Sequence, residues 1–374
     1  MARPSGHLLP VLALLALGLT LGLVAQGKGL WATAWPETPS TARTAPPPDP
    51  EARGPYAVGV TRRTFSRASS TTGAPRALET VVWYPAASAG APLPADQTLA
   101  APIDAEPARD AGPFPIVLFS HGLGGVPWSL THFTTHLASH GFVVLAPAHP
   151  GTTRADCPQP QPSQPCSVAN TGTRPLIGES IANRPDDLSF LIDQASGPEI
   201  GADMLLAGLL DPGRAGMTGW SLGGHSALRA TAKDRRSRGV IAMAPGGPLN
   251  MPALTEAAPQ ITAPTMLMWG MLDDRAEFWQ HRSLWRALDS AGPEHWLVAF
   301  PRAGHYQFAD TCRPGASGCD PSAVSQEQAH ALVDRWATAF LRRHVALDNR
   351  YAPLLDAALA AGNPEVQISF EPGR

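Results

Sequence analysis

One serine in the 374-residue chain sits where it could act as a nucleophile: Gly219-Trp220-Ser221-Leu222-Gly223 follows a short apolar run and leads straight into a helix-forming stretch. A serine on so sharp a strand-to-helix turn needs flanking glycines, because a Cβ at those positions would clash. Its hydroxyl then projects above the sheet, and the helix starting at Leu222 aims backbone N–H groups at any oxyanion formed beside it. A serine hydroxyl is a weak nucleophile until a base takes its proton and a third group holds the base. His305, in Pro301-Arg302-Ala303-Gly304-His305, and the adjacent pair Asp273 and Asp274, soon after Gly270, supply those residue types. Such a trio can transfer an acyl group to water through an acyl-serine.

Positioning these residues requires elements that end at one edge. Residues 114–120, 142–147, 240–244, 265–269 and 296–300, with the run before Ser221, are short apolar stretches separated by helical or Pro/Gly-rich segments. That alternation predicts a mainly parallel sheet covered on both faces. In open parallel sheets the ligand crevice lies outside the C-terminal strand ends, so Ser221, an aspartate and His305 converge there although far apart in sequence. The first run ends in His121-Gly122-Leu123-Gly124-Gly125, a glycine-rich turn whose main-chain N–H groups can gather around an oxyanion. Residues 56–64 and 78–84 read as an antiparallel strand pair and 130–140 as a helix. Asn183-Arg184-Pro185-Asp186-Asp187 reads as a helix start, with Asn183 as N-cap and acidic residues in the first turn. His132, His136 and His140 stand four apart on the 130–140 helix, a spacing that can hold zinc. No acidic residue accompanies them in that segment, and Phe133 and Leu137 define a buried face instead.

With these residues in place, the chain resembles α/β-hydrolases of the dienelactone-hydrolase-like group, which includes platelet-activating-factor acetylhydrolases and bacterial cutinase-like polyester hydrolases. The likeness spans residues 56–344. Val117-Leu118-Phe119-Ser120-His121-Gly122-Leu123-Gly124-Gly125, with 137–144, is similar to the oxyanion-loop region of the acetylhydrolases, and 219–224 is closer to the elbow of the polyester hydrolases. The order Ser, Asp, His is also that of the family. The resemblance implies an α/β-hydrolase fold, with a mainly parallel central sheet and helices on both faces. It implies a catalytic triad of Ser221, Asp273 and His305, oxyanion N–H groups from Leu123 and Leu222, and no metal or organic cofactor. The implied substrate is a short-chain acyl, lipid-like or polyester ester. In the lipid acetylhydrolases the acid follows the strand after the elbow. Here that strand ends in Ala244-Pro245, so the acid comes one strand later, where Gly270-x-x-Asp273 fits the common pattern and Asp274 stays open beside it. A dienelactone hydrolase proper uses cysteine at the elbow, which Ser221 speaks against. A serine peptidase and a non-catalytic binding module on the same fold are the alternatives.

Residues 8–26 are uncharged and rich in Leu and Ala, follow Arg3, and precede the small-x-small site Ala32-Thr33-Ala34, as in a secretory signal. The run is also nearly long enough for an uncleaved membrane anchor. Residues 1–34 therefore read as signal peptide or anchor of an exported protein, periplasmic or secreted, with membrane association in the second case. Proline-rich 35–55 reads as an extended linker, 56–344 as the catalytic domain and 345–374 as a C-terminal extension. A net charge of −3 with no basic stripe argues against a nucleic-acid partner. The four cysteines fall as Cys157/Cys166 and Cys312/Cys319, each pair bracketing one local loop. Two local disulfides are the simplest of the three connectivities, and neither spacing is the Cys-x-x-Cys of a zinc site. Thiol titration of the denatured, unreduced protein from its native compartment is expected to find no free thiol. Four free thiols would overturn the pairing and remove a support for export.

Overall fold

The computed structural model describes residues 45–87, 95–96, 98–156, 174–246, 251–289, 292–312, 315, 319, 324–356 and 362–373. The expected signal or anchor segment and the Cys157/Cys166 pair lie outside these residues.

The apolar runs become the inner strands of a nine-stranded sheet. Its members are β1 (Ala57–Ala68), β2 (Pro75–Ala86), β5 (Phe114–Ser120), β6 (Val143–Pro147), β7 (Leu210–Trp220), β8 (Ser237–Met243), β9 (Thr265–Gly270), β10 (His295–Phe300) and β11 (Gln367–Glu371). A separate small ribbon pairs β3 (Ala95–Asp96) with β4 (Ala101–Pro102). The order across the main sheet is β1-β2-β6-β5-β7-β8-β9-β10-β11. From β6 to β10 every neighbouring pair is parallel, whereas β1 and β2 at one edge and β11 at the other join antiparallel.

Every residue of β5, β9 and β10 is buried, as strands covered on both faces must be. The cover comes in two groups. In one, α1 (Thr131–Ser139) packs on α7 (Gln326–His344); in the other, α2 (Arg174–Ala195), α3 (Pro198–Gly201), α4 (Leu222–Lys233), α5 (Met251–Ala257) and α6 (His281–Asp289) pack in succession through α2–α3, α2–α4, α4–α5 and α5–α6 contacts. The mainly parallel α/β architecture expected from the sequence is the one that forms. After β5 the chain adds β6 on one side and then β7 on the other, so the direction of winding reverses between β5 and β7. A crevice opens at such a reversal, outside the strand ends.

Three expectations change. First, α2 begins at Arg174 rather than after Asn183, so Asn183 is no N-cap: it is buried mid-helix, and its side-chain oxygen accepts from the Ser70 N–H at 2.7 Å and from Arg67 at 2.9 Å. Pro185 lies inside this helix and leaves the Ile181 carbonyl without its usual donor, a vacancy that Arg229 Nη1 takes up at 3.4 Å. Second, 46–55 is not a free tether, because Pro46–Arg374 is one compact unit. The Pro48, Pro50 and Ala52 carbonyls accept from Tyr351 Oη at 3.1 Å, His136 Nε2 at 2.9 Å and His140 Nε2 at 2.9 Å, and the Gly54 N–H donates to Ser139 Oγ at 2.9 Å. Third, the stretch beyond 344 belongs to the same unit, with β11 completing the sheet beside β10.

The histidines of α1 thus serve as structural donors to separate carbonyls. An acid does meet two of them, but from α7: Asp334 lies 3.3 Å from His132 Nδ1 and 3.7 Å from His136 Nδ1. Burial works against charge on His132, and the Asp334 carboxylate outweighs it, so the His132 pKa is raised. Burial wins elsewhere, lowering His140 and His149 from 6.5 to about 4 and His225 to about 3. In the unfolded chain these three bind protons near pH 6.5, so their contribution to stability is complete above that pH and is lost as the pH falls towards about 4. Each adds up to about 1.4 kcal/mol per pH unit to the slope across that window, whereas His132, with its raised pKa, acts in the opposite sense above about pH 6.5. Urea midpoints should therefore fall as the pH drops from about 6.5 to 4. Midpoints that stay flat or rise on acidification would contradict the burial of these rings as neutral groups.

Candidate active site

The elbow is built by close approach of two strand ends. Ser221, between β7 and α4, has φ 57° and ψ −124°, a region that a residue bearing a side chain adopts only under constraint. Its N–H donates to the Met243 carbonyl at the end of β8, 2.8 Å away. A Cβ on Gly219 would come within 2.3 Å of the Gly223 carbonyl, and one on Gly223 within 1.8 Å of the Ser120 carbonyl oxygen at the end of β5. The two glycines that mark the motif are thus required because the turn folds back against itself and against β5.

A relay of hydrogen bonds converges on the serine. Ser221 Oγ–H points to His305 Nε2 at 3.0 Å, and His305 Nδ1–H donates to Asp273 Oδ2 at 2.7 Å. Both His305 and Asp273 are buried, at 4% and 5% exposure, so the relay is shielded from bulk water. The other oxygen of Asp273 accepts from the Arg275 and Ala276 N–H groups, both at 2.8 Å, which fixes the carboxylate after β9. Of the two adjacent aspartates it is Asp273 that meets His305; Asp274 is largely exposed and lies 3.5 Å from Arg275.

The loop carrying His305 is pinned from several directions. Trp220 Nε1 donates to the His305 carbonyl at 3.1 Å, and its ring centroid lies 5.1 Å from the imidazole. Gln307 accepts from the Gly304 N–H at 2.9 Å, and His132 Nε2 donates to the Phe308 carbonyl at 3.0 Å. Asp310 then caps α1, accepting from the Thr131 N–H at 2.6 Å and the His132 N–H at 3.1 Å. The unspecified residue of Gly-x-Ser, Trp220, therefore has a definite partner in the His305 carbonyl, and α1 is tied to the same loop.

Of the two residues expected to offer oxyanion N–H groups, Leu123 sits half-buried in the turn after β5 and Leu222 is the buried first residue of α4. Behind the turn lies a polar layer that sequence reasoning missed. Arg184 Nη1 donates to the His121 carbonyl at 2.6 Å; His149 Nδ1 donates to Asp187 at 2.8 Å and its Nε2 accepts from Ser120 Oγ at 2.9 Å. Arg76 and Arg67 also bind Asp187, at 2.9 and 2.8 Å. Burial alone would raise the Asp187 pKa, but His149 and Arg76 together hold it well below the usual carboxylate range. Among the described residues no group of three or more His, Cys, Asp or Glu side chains is arranged to hold a metal ion.

Sheet order, elbow and relay together define an α/β-hydrolase architecture. Residues 116–373 match the alpha/beta hydrolase family, and the chain belongs to that family. It is 22% identical over 276 residues, 66% of its length, to platelet-activating factor acetylhydrolase of Cavia porcellus, and spans 61% of that relative. Its fold is similar to that of a ferulic acid esterase from Streptomyces cinnamoneus, with a TM-score of 0.62 at 24% identity over 84% of this chain and 96% of the esterase.

The elbow geometry sets opposite signs for one kind of substitution. Gly223→Ala drives a methyl group into the Ser120 carbonyl and should cost more than about 3 kcal/mol, seen as loss of soluble folded protein or a collapsed Tm. Gly178→Ala, with open space around an α2 position, should instead raise stability by about 0.5–1 kcal/mol. A well-folded Gly223→Ala protein with unchanged Tm would mean that the turn is not packed this closely.

Proposed function

We propose that the protein is a serine carboxylic-ester hydrolase working through an acyl-enzyme. The observation that carries this reading is the unbroken relay from Ser221 through His305 to Asp273, with contacts of 3.0 and 2.7 Å. In the first half-reaction His305 takes the Ser221 proton as Oγ attacks the ester carbonyl carbon. The N–H groups of Leu123 and Leu222 bind the developing oxyanion, and His305 returns the proton to the departing alkoxide. In the second, His305 takes a proton from water as its oxygen attacks the acyl carbon, and Ser221 leaves with that proton, releasing the acid. Asp273 keeps the proton on His305 Nδ1 and stabilises the imidazolium. The chain's own groups supply every proton transfer, so the scheme uses no cofactor.

Esters of short or lipid-like acyl groups are the substrates favoured. An apolar-walled groove of about 480 Å³ is lined by Met251, Pro252, Thr255, Trp279, Gln280 and Ser283. Exposed Leu272 and Trp279 lie on the segment after β9 that also carries Asp273. The similarity to a platelet-activating factor acetylhydrolase and to a ferulic acid esterase supports ester cleavage. Export from the cytoplasm is supported by the Cys312–Cys319 disulfide, of a kind that persists in oxidising compartments, together with the leader-like start of the sequence.

A panel of short p-nitrophenyl esters, a short-acyl phospholipid, an aliphatic polyester and aminoacyl anilides tests the assignment. Turnover of the esters is expected, with the anilides untouched; the reverse ranking would make the protein a peptidase, and silence on all of them a binding module. Ser221→Ala should remove activity by several orders of magnitude, and Asp273→Asn should lower kcat by roughly 10³–10⁴-fold. Asp274→Asn should stay within about twofold, since its side chain faces solvent. A Ser221→Ala enzyme retaining a tenth or so of the parent rate would rule out Ser221 as nucleophile.

A further inference from the structure

The polar layer behind the β5 turn contains a charge that the reaction does not use. Arg184 is fully buried, yet its hydrogen bonds among the described residues go to no carboxylate. Nη1 donates to the His121 carbonyl at 2.6 Å and reaches Ser120 Oγ at 3.4 Å; Nε and Nη2 seat on Thr152 Oγ1 at 3.1 and 2.7 Å, and Nη2 lies 3.5 Å from the Gly122 carbonyl. Asp187, the nearest acid on the same helix, is taken by Arg67, Arg76 and His149. Burying a guanidinium on neutral acceptors is costly, so its retention calls for a role beyond filling space.

The acceptors indicate that role. Besides facing Arg184, the Gly122 carbonyl accepts from His121 Nδ1 at 2.7 Å and from the Gly125 N–H at 3.2 Å. His121 Nε2 in turn accepts from the His149 N–H at 3.2 Å, so His121 is neutral with its proton on Nδ1. The His121 and Gly122 carbonyls are therefore both turned inward. In a trans peptide the N–H points away from the carbonyl of the same unit, so the N–H groups of Gly122 and Leu123 are turned outward. The turn lies against the serine: a Cβ on Gly122 would be 3.0 Å from the Trp220 ring and 3.4 Å from Ser221 Cβ.

We propose that Arg184 is a positioning residue for the oxyanion loop, holding the His121 and Gly122 carbonyls inward so that the Leu123 N–H stays aimed at the oxyanion formed over Ser221. The inference rests on the hydrolase reading above. Arg184 touches no reacting atom. Its loss loosens a donor that matters only when negative charge develops, which lowers kcat and leaves substrate binding alone.

Three variants test this: Arg184→Met, similar in length without donors; Arg184→Lys, which keeps the charge but not the fork; and Thr152→Val, which removes the seat of the guanidinium. For each, kcat per active site titrated by a phosphonate probe, KM, the Ki of an alkylboronic acid that forms a tetrahedral serine adduct, and Tm are measured. Arg184→Met should lose roughly 10–100-fold in kcat per titrated site, with KM within about threefold and the boronate Ki raised in step. Arg184→Lys should fall between it and the parent, and Thr152→Val should show the same pattern at about 3–10-fold. Lower Tm and fewer titratable sites, with kcat per site and Ki unchanged, would overturn the positioning role. If Arg184→Met does not fold, Thr152→Val decides by the same criterion. A parent protein that cleaves no ester and takes up no probe on Ser221 would instead overturn the hydrolase reading, and this inference with it.

Discussion

The backbone of Ser221 is the constraint on which the rest of the site depends. A residue held at φ 57° costs about 1–3 kcal/mol that its surroundings must offset. They do so by packing: the turn is clamped between the end of β5, through Gly223 against Ser120, and the end of β8, through the Ser221 N–H on Met243. Once the turn is fixed, Oγ has one direction in which to point, and His305 must come to it.

His305 arrives on a loop with little regular structure of its own. Its placement is borrowed from neighbours, namely the Trp220 indole, the Gln307 amide and the His132 ring, each engaging a backbone group within four residues of His305. Asp273 is fixed differently, by two N–H groups of its own turn. Three strand ends thus supply three groups, each locked by a separate set of hydrogen bonds. Precision of a few tenths of an ångström at the serine is a property of those sets rather than of the relay alone.

What was legible in the sequence was what is local. The continuous apolar runs gave away the buried strands, because a strand covered on both faces has no polar side to show. Gly-x-Ser-x-Gly marked the elbow, and strand-terminal Asp273 and His305 could be picked out because parallel strands deliver their C-terminal ends to one edge. The support was not legible. Arg184-Pro185-Asp186-Asp187 has the composition of a helix start, but tertiary burial recruits Arg184 and Asp187 as interior groups and leaves Pro185 mid-helix. Likewise, the proline-rich stretch up to Pro55 reads as tether because its anchoring donors, His136, His140 and Tyr351, lie some 80 to 300 residues away. Asp334, which raises the pKa of His132, is equally distant in sequence and gives no local signal.

That anchored stretch has a mechanical consequence. β1 is an edge strand, and an edge strand pulled from its free end can unzip one hydrogen bond at a time. Force entering the folded unit at Pro46 meets other bonds first: Tyr351 on Pro48, His136 on Pro50, His140 on Ala52 and Ser139 on Gly54. These four tie the strand's leading end to α1 and its C-terminus and to the segment after α7, so a pull is shared between those two places before it reaches the first rung of the β1–β2 ladder at Ala57. The stretch behaves as a strain relief, and the sheet that aligns the crevice is insulated from tension on the chain that precedes it.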